Sequence, residues 1–287
     1  MHLVMILSAL GLACGIRLLV PSLTENWMNR WQRSLFVFLF PPLLLLMTSV
    51  AVIWMGYHGQ MFGLQAGWYS YLLAVGFLLI AIFSGFKLAY QGWLSLQNLS
   101  VYPEKMIMGK RARILDLAFP YSAQIGFWKP QLVISQGLLD SLDQDHLQAV
   151  LAHEQAHDDY HDTFWFFWLG WLRSLTFWLP NTEGLWQDLL FLRELRADYQ
   201  AAQKIDGLLL AESLLIVAQQ VNEDRFEISA ANCSAALHES VHQNRLIERI
   251  NALLNESNPS LVYVYNYWSW SWLPLSLLPL TTVPLHC

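Results

Sequence analysis

The order of apolar and polar positions divides the chain before any motif is read. Residues 2–21 form an apolar run with one permanent charge, Arg17, placed near one end where its head can snorkel to the surface. A second apolar run, 34–56, is expected to kink or start afresh at Pro41-Pro42. A loop without Lys or Arg, 57–67, leads to a third run at about 68–88. Each is long enough to cross a bilayer core as a helix, which takes about 20 residues. Trp27, Trp31, Trp54, Trp68 and Trp93 flank the runs, where an interfacial belt would place them. The first run lacks a small-residue cleavage motif and reads as a retained span, not a signal peptide.

The chain then turns polar. Arg111 to Leu117, Tyr121 to Ile125 and Gln131 to Ser135 pattern as short strands, broken by Pro120, Gly126 and Pro130. Asp143 can cap a helix that continues to about His161. Thr163 to Pro180 is largely apolar but contains Arg173, and the return stretch Gly184 to Leu192 is short and contains Asp188. Residues 163–204 are therefore expected to form a helical hairpin dipping into the membrane interface, turning at Leu179-Pro180-Asn181. Two more helices are expected at about 207–221 and 239–254. The last apolar run, Leu261 to Leu285, is expected to cross once more despite Pro274, Pro279 and Pro284.

Composition fixes the solvent. Of 287 residues, 55% are hydrophobic and 13% charged, against about 25% charged in soluble domains. The sequence is that of an integral, multi-pass membrane protein. A net charge of −6, evenly spread, excludes nucleic acid as a partner. Cys14, Cys233 and Cys287 lie far apart and make neither a disulfide framework nor a thiolate metal site. All 16 Lys and Arg residues fall in 17–33, 87–129 or 173–249. By the positive-inside rule that side is the cytoplasm, so both termini are expected outside a membrane of the bacterial cytoplasmic type. The expected division is a three-span region at 1–90, a cytoplasmic domain at 91–260 and a C-terminal span at 261–287.

The chemistry is carried by Ala152-His153-Glu154-Gln155-Ala156-His157. Residues four apart share a helix face, so His153 and His157 can hold one zinc ion, with Glu154 in reach of water at the metal. Zinc lowers the pKa of such a water to about 7 and polarises the scissile carbonyl, and Glu154 is then the general base. Leu147, Val150 and Leu151 lead into that face, so the histidines continue an apolar stripe. On the hairpin's second arm, Leu190, Glu194, Ala197 and Ala201 share another face. A carboxylate on an apolar face needs a partner. Zinc is one candidate; Arg193 or a solvated edge is the other.

With the motif, the hairpin and the Glu194-x-x-x-Asp198 spacing, the chain resembles the membrane-embedded HExxH zinc metallopeptidases of the gluzincin type. These include the HtpX-like and CAAX-processing proteases. It is most similar to the penicillin-sensor, or antirepressor, signal transducers, which place three spans before the domain and one after it. The shared pattern covers about residues 120–255, from the strand ending Lys129-Pro130-Gln131-Leu132-Val133-Ile134-Ser135 onward.

The resemblance implies a zincin-like α+β catalytic domain in a mainly α membrane protein of about four transmembrane helices. It implies His153, His157 and Glu194 as ligands of one zinc ion, Glu154 as catalytic base, and Asp198 orienting a ligand histidine. The helix bearing Arg245 and Arg249 is taken as structural. His161 does not fit a third-histidine pattern and is expected at the surface or behind the ligands. It and Asp162 are the next ligand candidates after Glu194. The antirepressor sensors continue past their last span into an extracellular ligand-binding domain, whereas this sequence ends at Cys287.

The implied activity is zinc-dependent endopeptidase action on membrane-proximal or cytoplasmic protein, with the strand at 121–125 pairing extended substrate. The alternatives are a regulated protease that cleaves one repressor, or an inactive membrane scaffold. A scaffold has no physical need for Glu154.

Overall fold

The computed structural model describes residues 1–19, 27–61, 64–229, 235–255 and 271–285. It is mainly helical, with a small sheet. Its contacts divide the chain into two compact units. The first comprises residues 1–90, 168–190 and the described C-terminal segment; the second comprises 91–167 and the chain from 191 through the last α-helix.

The first unit holds α1 (His2–Leu19), α2 (Trp27–Met55) and most of α3 (Trp68–Leu99). Between α2 and α3 lies a two-stranded ribbon of β1 (Gln60–Met61) and β2 (Leu64–Gln65). Among the described residues, α2 and α3 are the helices long and apolar enough to cross a membrane. Of the four expected spans, the second and third are these two helices, while His2–Leu18 is a shorter apolar helix. Of the final run, 261–270 lie outside the described residues. Leu273–Leu285 forms a 3-10 helix, not an α-helix. Pro279 and Pro284 each remove an N–H that an α-helical ladder would use.

One contact bears on Arg17 and on one of the two alternatives at Pro41-Pro42. Helix α2 does not start afresh at Pro41-Pro42 but runs unbroken through both. Pro42 has no N–H to give to the Phe38 carbonyl four residues earlier. Arg17 supplies the missing donor: its Nη2 lies 3.1 Å from Phe38 O, and its guanidinium stacks 5.2 Å from the Phe38 ring. Arg17 is buried and does not snorkel. Asp188, on the return arm of the hairpin, is also partnered. It accepts hydrogen bonds from Arg30 and from Ser34 Oγ, the latter at 2.7 Å.

In the second unit a four-stranded sheet has the order β3 (Glu104–Ile107), β4 (Lys110–Leu115), β6 (Gln131–Ser135), β5 (Ser122–Ile125). The β4–β6 pair is parallel and the others are antiparallel. Strand β5 is therefore an edge. Gly126, at φ +141°, ends it: a Cβ there would lie 2.9 Å from Lys129 O. Strand β3 escapes the sequence pattern because it is largely exposed and shows no alternation.

Helix α4 (Gln136–Ser141) leads into α5 (Gln144–Asp159), whose N-cap Asp143 accepts from His146 N at 2.9 Å. Ile114 of β4, Leu132 and Ile134 of β6, Leu138 of α4 and Leu147, Val150 and Leu151 of α5 form one core. Lys110 Nζ donates to Leu151 O at 3.0 Å, a second tie between sheet and helix. The hairpin arms are α6 (Asp162–Leu175) and α7 (Thr182–Ala202), followed by α8 (Gly207–Ser229) and α9 (Ala235–Asn255). Ala149, Ala201, Ala211, Leu210 and Leu253 pack α5, α7, α8 and α9 together. The three alanines leave room for the helices to approach closely.

Candidate metal centre

Helix α5 presents His153, Glu154 and His157 on its buried side. The two Nε2 atoms lie 3.1 Å apart. From α7, Glu194 places Oε2 3.4 Å from His153 Nε2 and Oε1 3.7 Å from His157 Nε2. Zinc bonds of about 2.0–2.1 Å in a tetrahedron require donors about 3.3 Å apart, close to these separations. Two imidazoles and one carboxylate, with ligand atoms all within 4.8 Å of one another, fit the donor set of an open catalytic zinc site.

Behind the donors, each histidine meets a carboxylate at its other nitrogen. His153 Nδ1 lies 2.8 Å from Asp198 Oδ1, and Arg249 of α9 grips Asp198 with Nε at 2.6 Å and Nη2 at 2.8 Å. His157 Nδ1 lies 2.7 Å from Asp162 Oδ2, and Arg196 donates to Asp162 Oδ1. Asp162 and Asp198 are each 2% exposed. Carboxylates in this position fix the imidazole tautomer, turn Nε2 toward the metal and make it a better donor. The relay through Asp162 depends on His161, whose φ of +53° turns the chain so that α6 starts with its first residue against His157. Arg196 is steadied from the other side by the Tyr160 ring, 4.1 Å away.

Electrostatics make the centre a place for positive charge. Burial disfavours a charged His153, but Asp198 and Glu194 outweigh it and push the ring up to about 10. His157 is likewise raised, with Asp162 and Glu194 opposing burial. Burial would raise Glu194, yet the two histidines, Arg249 and Arg193 hold it well below the ordinary carboxylate range. Asp198 is lowered against burial by Arg249 and His153. Arg193 donates to Glu194 Oε1 from Nε at 3.0 Å and Nη2 at 2.7 Å, and lies 4.9 Å from the Phe166 ring. Arg193 and the two histidines thus both stand against Glu194.

The surroundings of Glu154 are built separately. Ser122 Oγ donates to Glu154 Oε1 at 2.6 Å, and Gln124 Nε2 donates to the Glu154 carbonyl at 3.3 Å. Both come from edge strand β5, which lies alongside the histidine helix.

All five residues named from the sequence, His153, Glu154, His157, Glu194 and Asp198, converge here. His161 is exposed and takes no part. Asp162 sits behind His157, so it is not positioned as an alternative ligand. Arg249, expected to be structural only, holds Asp198 and lies 3.7 Å from Glu194. The signal for it was present: Leu246, Arg249, Ile250 and Leu253 share a helical face, and a buried arginine there needs a carboxylate.

No curated protein and no solved structure matches the chain. Residues 118–253, just under half of its length, match the profile of Peptidase family M48, whose peptidases are typically zinc-dependent. The matched stretch begins just before β5 and ends within α9, enclosing every residue of the centre. The likeness to M48 peptidases over this stretch supports a metallopeptidase.

Proposed function

We propose that this chain is a zinc-dependent integral-membrane endopeptidase that hydrolyses peptide bonds of membrane-proximal or cytoplasmic protein. The observation that carries the reading is the convergence of His153, His157 and Glu194 at tetrahedral spacing, with Glu154 beside them. Held by these three residues, one zinc ion would supply Lewis-acid polarisation of the scissile carbonyl and acidify the attacking water. Glu154 accepts the proton from that water and passes it to the leaving amine as the carbon–nitrogen bond breaks. Asp198 and Asp162 keep the histidine rings from turning during that exchange. Edge strand β5 offers backbone groups to an extended peptide, so selection is partly blind to side chains.

The span count and the one-sided distribution of Lys and Arg support a multi-pass protein with its centre facing the cytoplasm. The narrower kinship with antirepressor transducers rests on the resemblance over residues 120–255 alone, and regulated cleavage of one repressor would then be the task. The test is the Glu154→Gln variant of the full chain in detergent. Gln keeps the size of Glu but cannot take the proton. Zinc content and abundance should match wild type, while cleavage of labelled casein falls by about 10²–10⁴-fold. A Glu154→Gln protein with wild-type turnover would end the peptidase reading.

A further inference from the structure

Glu154 is buried and its two oxygens differ. Oε1 accepts the 2.6 Å hydrogen bond from Ser122, whereas Oε2 is buried with no hydrogen-bond partner among the described residues. Ser122 does not sit on a loose loop. It opens β5, where it is registered against Ile134 of β6, a fully buried residue. Two residues on, Gln124 is registered against Leu132 and reaches the backbone carbonyl of Glu154 itself. Side chains two apart on a strand point the same way, so one face of β5 holds the base at its carboxylate and at its main chain. A carboxylate with one oxygen tied to a fixed hydroxyl has lost rotation about its last bond. The other oxygen is then the one left without a hydrogen-bond partner among the described residues.

We propose that Ser122 is a positioning residue which fixes the plane of the Glu154 carboxylate and assigns proton transfer to Oε2. The inference rests on the peptidase reading. It adds that the strand expected to receive substrate also aims the base, so the two halves of the reaction are aligned by one element. A serine suits the task because its hydroxyl donates to a carboxylate without competing as a metal ligand. Positioning of this kind acts on the reaction step and not on substrate affinity.

The experiment uses full-length, zinc-loaded protein in detergent micelles, a fluorogenic peptide, and a peptide hydroxamate as a turnover-independent probe of the same oxygen. Ser122→Ala should lower kcat roughly tenfold to a hundredfold, as loss of a hydrogen bond to a charged group does. KM and zinc content should stay unchanged. Ser122→Thr, which keeps the hydroxyl, should recover most of the loss. Hydroxamate affinity should fall with Ser122→Ala in the wild-type background and change little in the Glu154→Gln background, because the effect passes through Glu154.

The inference is overturned by an unchanged kcat and hydroxamate affinity, by a raised KM at constant kcat, or by equal losses with and without Glu154. Wild-type protein that binds zinc and hydroxamate yet cleaves nothing would refute the peptidase reading, while the affinities still judge Ser122. Failure of wild-type protein to bind zinc would overturn both.

Discussion

Removing the carboxylate behind His157 separates ligand orientation from ligand identity. Asp162 is 2% exposed and joins His157 Nδ1 at 2.7 Å to the Arg196 guanidinium. Asp162→Asn preserves volume and an acceptor for the imidazole N–H, but removes the charge that strengthens the donor and neutralises Arg196. Loss of such an outer partner weakens metal binding by about 10–100-fold, or roughly 1.4–2.7 kcal/mol. Asp162→Ala removes the acceptor as well. It leaves a guanidinium that is 16% exposed without its carboxylate, and breaking a buried pair from one side costs about 3–5 kcal/mol of stability. The two variants should therefore differ in kind: Asn weakens zinc at near-normal stability, while Ala weakens zinc and lowers the unfolding temperature. Both are read on the full chain in detergent, by zinc titration against a chromophoric chelator and by thermal unfolding of the zinc-free protein. Wild-type zinc affinity in Asp162→Asn and Asp162→Ala alike would show that His157 needs no carboxylate behind it and would refute the reasoning.

Three further outcomes are expected. Glu194→Ala should lose zinc sharply by elemental analysis, whereas Glu183→Ala should keep it, because Glu183 pairs at the surface with Arg173 at 2.7 Å. Retained zinc in Glu194→Ala would place the third ligand elsewhere. Arg17→Met should lower thermal stability by about 1–3 kcal/mol by stranding the Phe38 carbonyl. Adding Pro42→Ala, which restores an N–H four residues on, should recover much of that loss; if it does not, the repair assigned to Arg17 is wrong. Finally, a topology reporter within 57–67 should read exterior and one within 222–238 cytoplasmic, and exterior accessibility of 222–238 would sink the proposed orientation.

What the sequence revealed and what it hid follow one physical division. The His153–Glu154–His157 face, the Asp143 cap and the Glu194–Asp198 arm were legible because helical spacing and capping are local rules, decided within one or two turns. The hairpin's two helices followed from apolar runs cut by Pro180 and Asn181. What could not be read depended on which elements meet. Pro41-Pro42 looks like a break until Arg17, 21 residues earlier in sequence than Phe38, provides the donor that proline removed. Asp162 lies five residues after His157, a spacing no straight helix brings together, and only the left-handed His161 does so. Helix α3 continues to Leu99 because, once nucleated, a helix can extend through Gln91, Ser95 and Gln97 without an apolar stripe to announce it.

The same division supports Glu154, one carboxylate among four, as the proposed base. Glu194 is met by Arg193, Asp198 by Arg249 and Asp162 by Arg196. A guanidinium against a carboxylate favours its charged form and opposes uptake of a proton. Glu194 and Asp198 are both held below the ordinary carboxylate range in this way, which suits a proposed metal ligand and a group set behind a histidine. The same pairing would disable a general base, whose task is to gain a proton and then give it up. Among the described residues no arginine forms an ion pair with Glu154; its close partner is the neutral hydroxyl of Ser122. Neither the HExxH spacing nor the composition contains this distinction. It arises because α7 and α9 bring Arg193, Arg196 and Arg249 against the other three carboxylates, while β5 brings Ser122 and Gln124 to Glu154.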